Sequence, residues 1–254
     1  MDDLTVGWDA LGVHRGDVLM VHASLSAFGV VQDGAQGIVD SIRAAVGRSG
    51  TIVVPTFTPQ IADPAPEVTG ARSLEVRARR EAVPVFWSDT PSQMGAVAET
   101  LRRSTGTLRS SHPQVSVAAQ GPAAAEIIAR QSLGYAVGAE SPFAAVRRLG
   151  GRILLLGVGH NRNTFLHHAE SLSILHRHKL RRFPMIIGAE RVWVEVPDVA
   201  DDLDTLFPRI GAEFEELGTS SVSLVGQASC RLLDADSFVR FATPRFGFYL
   251  HEQV

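Results

Sequence analysis

An apolar run without a polar break, Ile153 to Val158 (ILLLGV), sets the firmest limit on what this chain can fold into. It reads as a buried strand. Gly157 and Gly159 break it, a polar turn from His160 to Asn163 follows, and a helical pattern runs from Thr164 to His178. The same order of strand, turn and helix recurs upstream. Asp17 to His22 and Thr51 to Pro55 read as strands, the second entered through the turn residue Gly50, and Gly37 to Val46 reads as a helix. Pro91 and Ser92 open a helix to Arg103, Val115 to Ala119 is a short strand, and Pro122 to Gln131 is a helix. This alternation predicts an α/β protein with a mostly parallel central sheet flanked by helices.

The last third changes character. Arg191 to Val196 alternates like a half-exposed strand, and Leu203 to Leu217 is an amphipathic helix. The stretch from Pro59 to Thr90, rich in Pro, Ala and charge, is expected as a long excursion at the rim of an active site. No repeat or low-complexity linker divides the chain. At 254 residues and 45% hydrophobic it can bury a large core, and one domain over residues 1–254 is the expectation. The formal net charge of -3 gives no reason to expect nucleic acid or an anionic membrane as a partner. Cys230 is the one cysteine, so no intrachain disulfide framework forms, and the acidic start MDDLTVGWDALGV has no signal-peptide core. No apolar run approaches the ~18 residues that span a membrane, and a cytoplasmic protein is expected.

Chemistry concentrates after the 153–158 strand. Thr164, His167 and Glu170 recur every third residue, so they share one helix face just past a strand end, where open α/β sheets bind ligands. A carboxylate one turn from a histidine can fix its tautomer and make it a general base. The same spacing also describes an ordinary surface pair. A zinc site from His160, His167, His168 and Glu170 is the rival. HExxH is absent and a lone cysteine makes no thiolate cluster, so no metal is expected. Two loops add possible ligand contacts. VHASLSAFG (22–29) offers His22, Ser24 and Ser26 to a phosphate or pantetheine arm, or is a plain polar turn. RSSHPQVS (109–116) offers Arg109, Ser110 and Ser111 to an anion, or only joins a helix to a strand. GVGHN (157–161) lacks a third glycine and a following acidic residue, which argues against dinucleotide binding, and no G-x-S-x-G elbow is present.

In order and spacing, these segments resemble the aminoglycoside 3-N-acetyltransferase family. The resemblance runs from about Leu11 to Phe241, and the matching pieces are LMVHASLSAFG, GTIVVPTFT, RSSHPQVSVAAQG, ESPFAAVRRLGGRILLLGVG, NTFLHHAES, RHKLRRFP and VGQASCRLLD. The resemblance implies an α/β sandwich distinct from the GCN5-like acetyltransferases. It implies acetyl-CoA as cosubstrate and direct transfer to the 3-amino group of a polycationic aminoglycoside. The family's LHxAE element falls on Leu166, His167, Ala169 and Glu170, which makes His167 the base and Glu170 its partner. Thr164 is a candidate oxyanion donor. His22, Ser24, Ser26, Arg109, Ser110 and Ser111 are candidate coenzyme A contacts. Within the acidic segment after Asp198 the resemblance picks out Asp204 and Glu213 for the antibiotic, and His168 is a further candidate there. Transfer to another amine of a biosynthetic pathway is the alternative, and coenzyme A binding without catalysis is a third reading.

Overall fold

The computed structural model describes residues 2–70 and 73–252. In chain order the elements are α1 (Asp2–Leu11), β1 (Val18–Ala23), α2 (Gly34–Val46), β2 (Thr51–Pro55), α3 (Leu74–Glu81), α4 (Ala96–Arg103), β3 (Leu108–Arg109), β4 (Val117–Gln120) and α5 (Ala124–Ile128). They continue with α6 (Pro142–Arg148), β5 (Arg152–Leu156), α7 (Phe165–Ser171), β6 (His178–Ile187), β7 (Glu190–Val199), α8 (Leu206–Glu215), β8 (Ser221–Val225), β9 (Ala228–Asp234) and α9 (Ala235–His251). Seven strands form one sheet in the order β3-β4-β2-β1-β5-β9-β8. Its centre, β2-β1-β5, is parallel, with Met20 opposite both Val53 and Ile153. Outward from there the pairs β2-β4, β4-β3, β5-β9 and β9-β8 are antiparallel.

Two helix layers explain why the central strands are apolar at every position. Met20, Val53, Ile153 and Leu155 pack beneath α5 to α9, in a core with Phe143, Phe165, Phe207 and Phe238. Their neighbours Leu19, Val21, Ile52, Val54, Leu154 and Leu156 point the other way, onto Trp8, Ile38, Ile42 and Leu101 of α1, α2 and α4. A strand buried on both faces has no use for alternation. No described helix is long and apolar enough to cross a membrane.

Several boundaries depart from the sequence expectations. The helix expected over 164–178 stops at Ser171, where Leu172 and Ser173 donate to the carbonyls three residues back, of Ala169 and Glu170. That tightened turn releases the chain into β6, which pairs along ten residues with β7 as a separate two-stranded ribbon. The helix expected from Pro91 begins at Ala96. Gly95 caps it at φ 91, a conformation that suits glycine, and Ser92 folds back so that its N–H reaches Glu99 Oε2 at 3.0 Å. The 59–90 excursion contains α3. Arg80 ties it down by donating to Asp63 (2.9 Å) and to the carbonyls of Ala65 and Val68. Arg182 of the ribbon also pairs with Asp63, and Ile61 and Val83 pack on Phe183. The excursion and the ribbon are therefore one packed unit.

Candidate active site

The C-terminal ends of β1, β2 and β5 open onto a cleft of about 690 Å³. His22, Ser24 and Ser26 line it from the first strand and loop, Gly95 and the first turn of α4 from one side, and Gly157 and Arg162 from the other. Gly157 sits at φ 62, and a side chain there would collide with Ala27. The loop can approach only because that position is glycine. Ser24 and Ser26 share a hydrogen bond of 3.0 Å between their hydroxyls. His22 is buried with Nε2 unpartnered, and burial pushes its pKa down to about 3, so it is a neutral polar wall. Unpaired N–H groups of a helix start, hydroxyls and one arginine make a cradle that fits a long anionic ligand such as coenzyme A.

A second cavity, of about 300 Å³, adjoins it. Met94 belongs to both walls. His167, Lys179, Arg181, Asp201 and Gln114 supply the polar lining, with Phe57, Val115, Val137 and Val199 as apolar wall. The half-buried His167 ring lies edge-on to Phe207, centroids 4.6 Å apart, and its buried Nδ1 has no hydrogen-bond partner. Burial lowers its pKa to about 4. Arg181 and Lys179 act in the same sense, and Asp201 opposes them. The ring is therefore neutral and able to accept a proton at physiological pH. Asp201 pairs with Lys179 at 2.5 Å, and the buried Asp198 pairs with Arg181.

Most of the other expected site residues are engaged elsewhere. Glu170 does not hold the His167 ring. It is fully buried, and its oxygens accept from Arg177 Nε (2.8 Å), Nη2 (2.9 Å) and backbone N–H (3.1 Å). Arg177 also pairs with Asp202 at 2.8 Å, and Asp202 in turn accepts the N–H groups of Thr205, Leu206 and Phe207. This chain of charges pins the end of α7 to the start of α8. Thr164 is buried, takes the His168 N–H on its carbonyl, and lines neither cavity. His168 faces away from both cavities. Its Nδ1 donates to the Val137 carbonyl at 2.6 Å, and its ring packs against Phe143 and Phe165. An adjacent residue on a helix is turned by about 100°, which is why His167 and His168 cannot share a site.

Arg109 is committed as well. It donates to Thr56 Oγ1 (3.2 Å), Ser116 Oγ (3.1 Å) and the carbonyls of Thr56 (2.8 Å), Ser88 (3.1 Å) and Thr90 (2.5 Å), so it is a strut and not an anion contact. Ser110 is buried between the Gln131 side chain (2.6 Å) and the Val117 N–H (2.9 Å). Ser111 is exposed and lines neither cavity. Asp204 is exposed in a left-handed turn, φ 56, outside the cavity that Asp201 lines. Glu213 is held by Arg245 (2.9 Å) and the Tyr249 hydroxyl at the contact with α9. His160 bonds Glu215 at 2.9 Å and stacks on Phe238. Among the described residues, no group of three or more His, Cys, Asp or Glu side chains is placed to hold a metal ion.

Lys179 and Arg181 carry no local sign of a site, and Asp201 is one acid among several in the segment after Asp198, because all three reach His167 through the ribbon's pairing, not through local spacing. Locally, 179 and 181 only alternate with 180 and 182, which puts the pair on one face.

The fold is an α/β sandwich with a cleft at its central strand ends and a neutral histidine in the cavity beyond it. The sequence profile of the aminoglycoside 3-N-acetyltransferases matches residues 20–247, and the chain belongs to that family. Aminoglycoside N(3)-acetyltransferase IX of Micromonospora chalcea is 32% identical over 249 residues, covering 95% of this chain and 88% of its own. The crystal structure of the YokD protein from Bacillus subtilis superposes with a TM-score of 0.89 at 30% identity, over 96% of this chain and 92% of that one. AAC-IIIb in a binary structure with CoASH gives 0.83 at 30% identity, over 98% and 95%.

Proposed function

We propose that this chain transfers the acetyl group of acetyl-CoA directly to an amine, the 3-amino group of an aminoglycoside, with His167 as general base. The observation that carries this reading is the neutral, unpaired His167 in a cavity that shares Met94 with the larger cleft. In this reading the cleft takes the coenzyme and the smaller cavity the acceptor. His22, Ser24, Ser26 and Arg162 hold the coenzyme, which supplies an activated acetyl group. Family membership supports this assignment, as does the coenzyme named with the AAC-IIIb structure. On this reading the enzyme works in the cytoplasm, where it meets acetyl-CoA.

His167 takes a proton from the acceptor nitrogen. That nitrogen becomes acidic as it bonds to carbon, so a base of low pKa is sufficient. The carbonyl oxygen gains negative charge as it is attacked. The first-turn N–H groups of α4, which line the cleft and lack intrahelical partners, are placed to offset it. Glu170 acts at one remove, by holding Arg177 and with it the relation of α7 to α8.

A second reading, transfer to an amine of low charge, is favoured by one observation. The carboxylates nearest His167 already have cationic partners, Asp201 with Lys179 and Asp198 with Arg181.

Release of coenzyme A thiol from acetyl-CoA, measured with a panel of aminoglycosides and simple amines, separates the two. His167→Ala should lower turnover by roughly 10²–10⁴-fold with coenzyme affinity nearly unchanged. Near-normal turnover in a folded variant would remove His167 from the reaction.

A further inference from the structure

Lys179 is the only lysine in the chain. Every other member of its 24 Lys and Arg is arginine. That one side-chain primary amine lines the same cavity as His167, whose wall shares Met94 with the larger cleft. Its side chain is 23% exposed, and its Nζ rests on Asp201 at 2.5 Å. We propose that Lys179 is itself an acetyl acceptor, and that its acetylation by bound acetyl-CoA opens the cavity to a cationic substrate. The inference rests on the transfer reading above.

Arginine cannot do this chemistry, because a guanidinium keeps its proton, whereas a desolvated lysine gives one up. The surroundings of Lys179 act in that direction. Burial lowers its pKa and Arg181 adds to the effect, while Asp201 opposes it. The Nζ ammonium gives one proton to solvent, and its freed lone pair forms a bond to the thioester carbonyl carbon. The nitrogen, now acidic, gives its second proton to His167 and becomes an amide nitrogen. The carbon–sulfur bond breaks and sulfur leaves with the electron pair. Of the two protons released, one ends on the coenzyme thiol and one in solvent.

The product changes the charge of the cavity. An acetylated Lys179 has no ammonium, so Asp201 loses its partner while Arg181 keeps Asp198. A free carboxylate then stands beside the base, where an acceptor ammonium can bind. The resident lysine thus occupies the place of the substrate amine until it is acetylated. An amide of this kind is stable, so the modification primes the site and is not a step of each turnover.

The full chain, incubated with acetyl-CoA and no acceptor, should gain a single increment of about 42 Da. Peptide mapping should place it on Lys179 and not on the chain's α-amino group. His167→Ala should slow the adduct by roughly 10²-fold or more, and Lys179→Arg should abolish it. Lys179→Gln, which lacks the charge as the acetylated side chain does, should have a KM for an aminoglycoside several-fold below that of Lys179→Arg, which keeps the charge and cannot be acetylated. No adduct at Lys179, or one that forms equally fast in His167→Ala, overturns the self-acetylation. A KM in Lys179→Gln no lower than in Lys179→Arg overturns the priming role. Thiol release to an added amine without any Lys179 adduct sinks this proposal and leaves the transfer reading standing. Absence of both removes both.

Discussion

At the scale of single residues, the HxxE spacing points to chemistry and the fold divides it. His167 faces the cavity with an open nitrogen, whereas Glu170 is sealed in a bidentate pair with Arg177. Glu170 is fully buried and the Arg177 side chain is 23% exposed, so solvent screens the pair little. Removing one partner of such a pair strands the other, at about 3–5 kcal/mol. Glu170→Ala should therefore lower the urea midpoint by a corresponding amount. In the protein that remains folded, kcat/KM should show no acid limb from pH 7.5 down to 5.5, because burial keeps the His167 ring neutral well below its ordinary range. A limb that enters that range in Glu170→Ala, with stability intact, would return Glu170 to the role of the ring's direct partner.

At the scale of elements, close approach decides which helices can dock. Gly211 in α8 packs directly on His160, and a Cβ there would lie 2.0 Å from the imidazole Cγ. That ring cannot retreat, because it stacks on Phe238 at 5.5 Å and bonds Glu215 at 2.9 Å. Gly211→Ala should cost about 1–3 kcal/mol, measured by chemical unfolding, although alanine is the better helix former. A neutral or stabilising result would mean that α8 slides freely on the 160–162 turn. The elements legible in the sequence are those whose pattern is local. β1, β2 and β5 announce themselves as apolar runs, and α8 as a periodic stripe. β6 is hidden because Phe165, Ala169, Leu172 and His176 recur at helical spacing, a pattern that only the turn at Leu172 cuts. The residues that line the two cavities divide in the same way. His22, Ser24, Ser26 and His167 follow strands that the sequence reveals, so the cavity walls they form were foreseeable. Lys179 and Asp201 meet His167 only because ten residue pairs of ribbon bring them back over α7. Arg109 misled for the opposite reason. An arginine between loop serines has the composition of an anion contact, but five donations to Thr56, Ser116, Ser88 and Thr90 use it as a strut.

At the scale of the whole molecule, the number of buried neutral histidines fixes the response to acid. Burial lowers the pKa of His22 to about 3, and those of His112 and His168 to about 4, from an ordinary 6.5. The local bonding favours the neutral rings. His112 Nδ1 accepts the backbone N–H groups of Gln114 (3.1 Å) and Val115 (2.9 Å), which leaves no room for a second proton. His168 Nδ1 donates to Val137, and its buried Nε2 has no partner for a charge. An unfolded chain protonates these rings as pH falls below 6.5, while the folded chain refuses the protons until about pH 4. Folding stability is thus fully present above 6.5 and declines through the window from 6.5 to 4. Each ring contributes up to about 1.4 kcal/mol per pH unit, so three together approach about 4. A domain stable by about 5–15 kcal/mol cannot absorb that slope for long. Carboxylates such as Asp63, held below the ordinary 3.8 because Arg80 and Arg182 outweigh their desolvation, protonate only later. The chain should therefore unfold above pH 4, with its histidines and before its paired carboxylates. Urea midpoints measured from pH 7.5 to 4.5 should fall steeply. His168→Gln, which keeps a donor for Val137 but cannot take the proton, should flatten the fall by close to one proton's worth. A midpoint constant across that range, or an unchanged slope in His168→Gln, would show that these rings are reached by water and charge without unfolding.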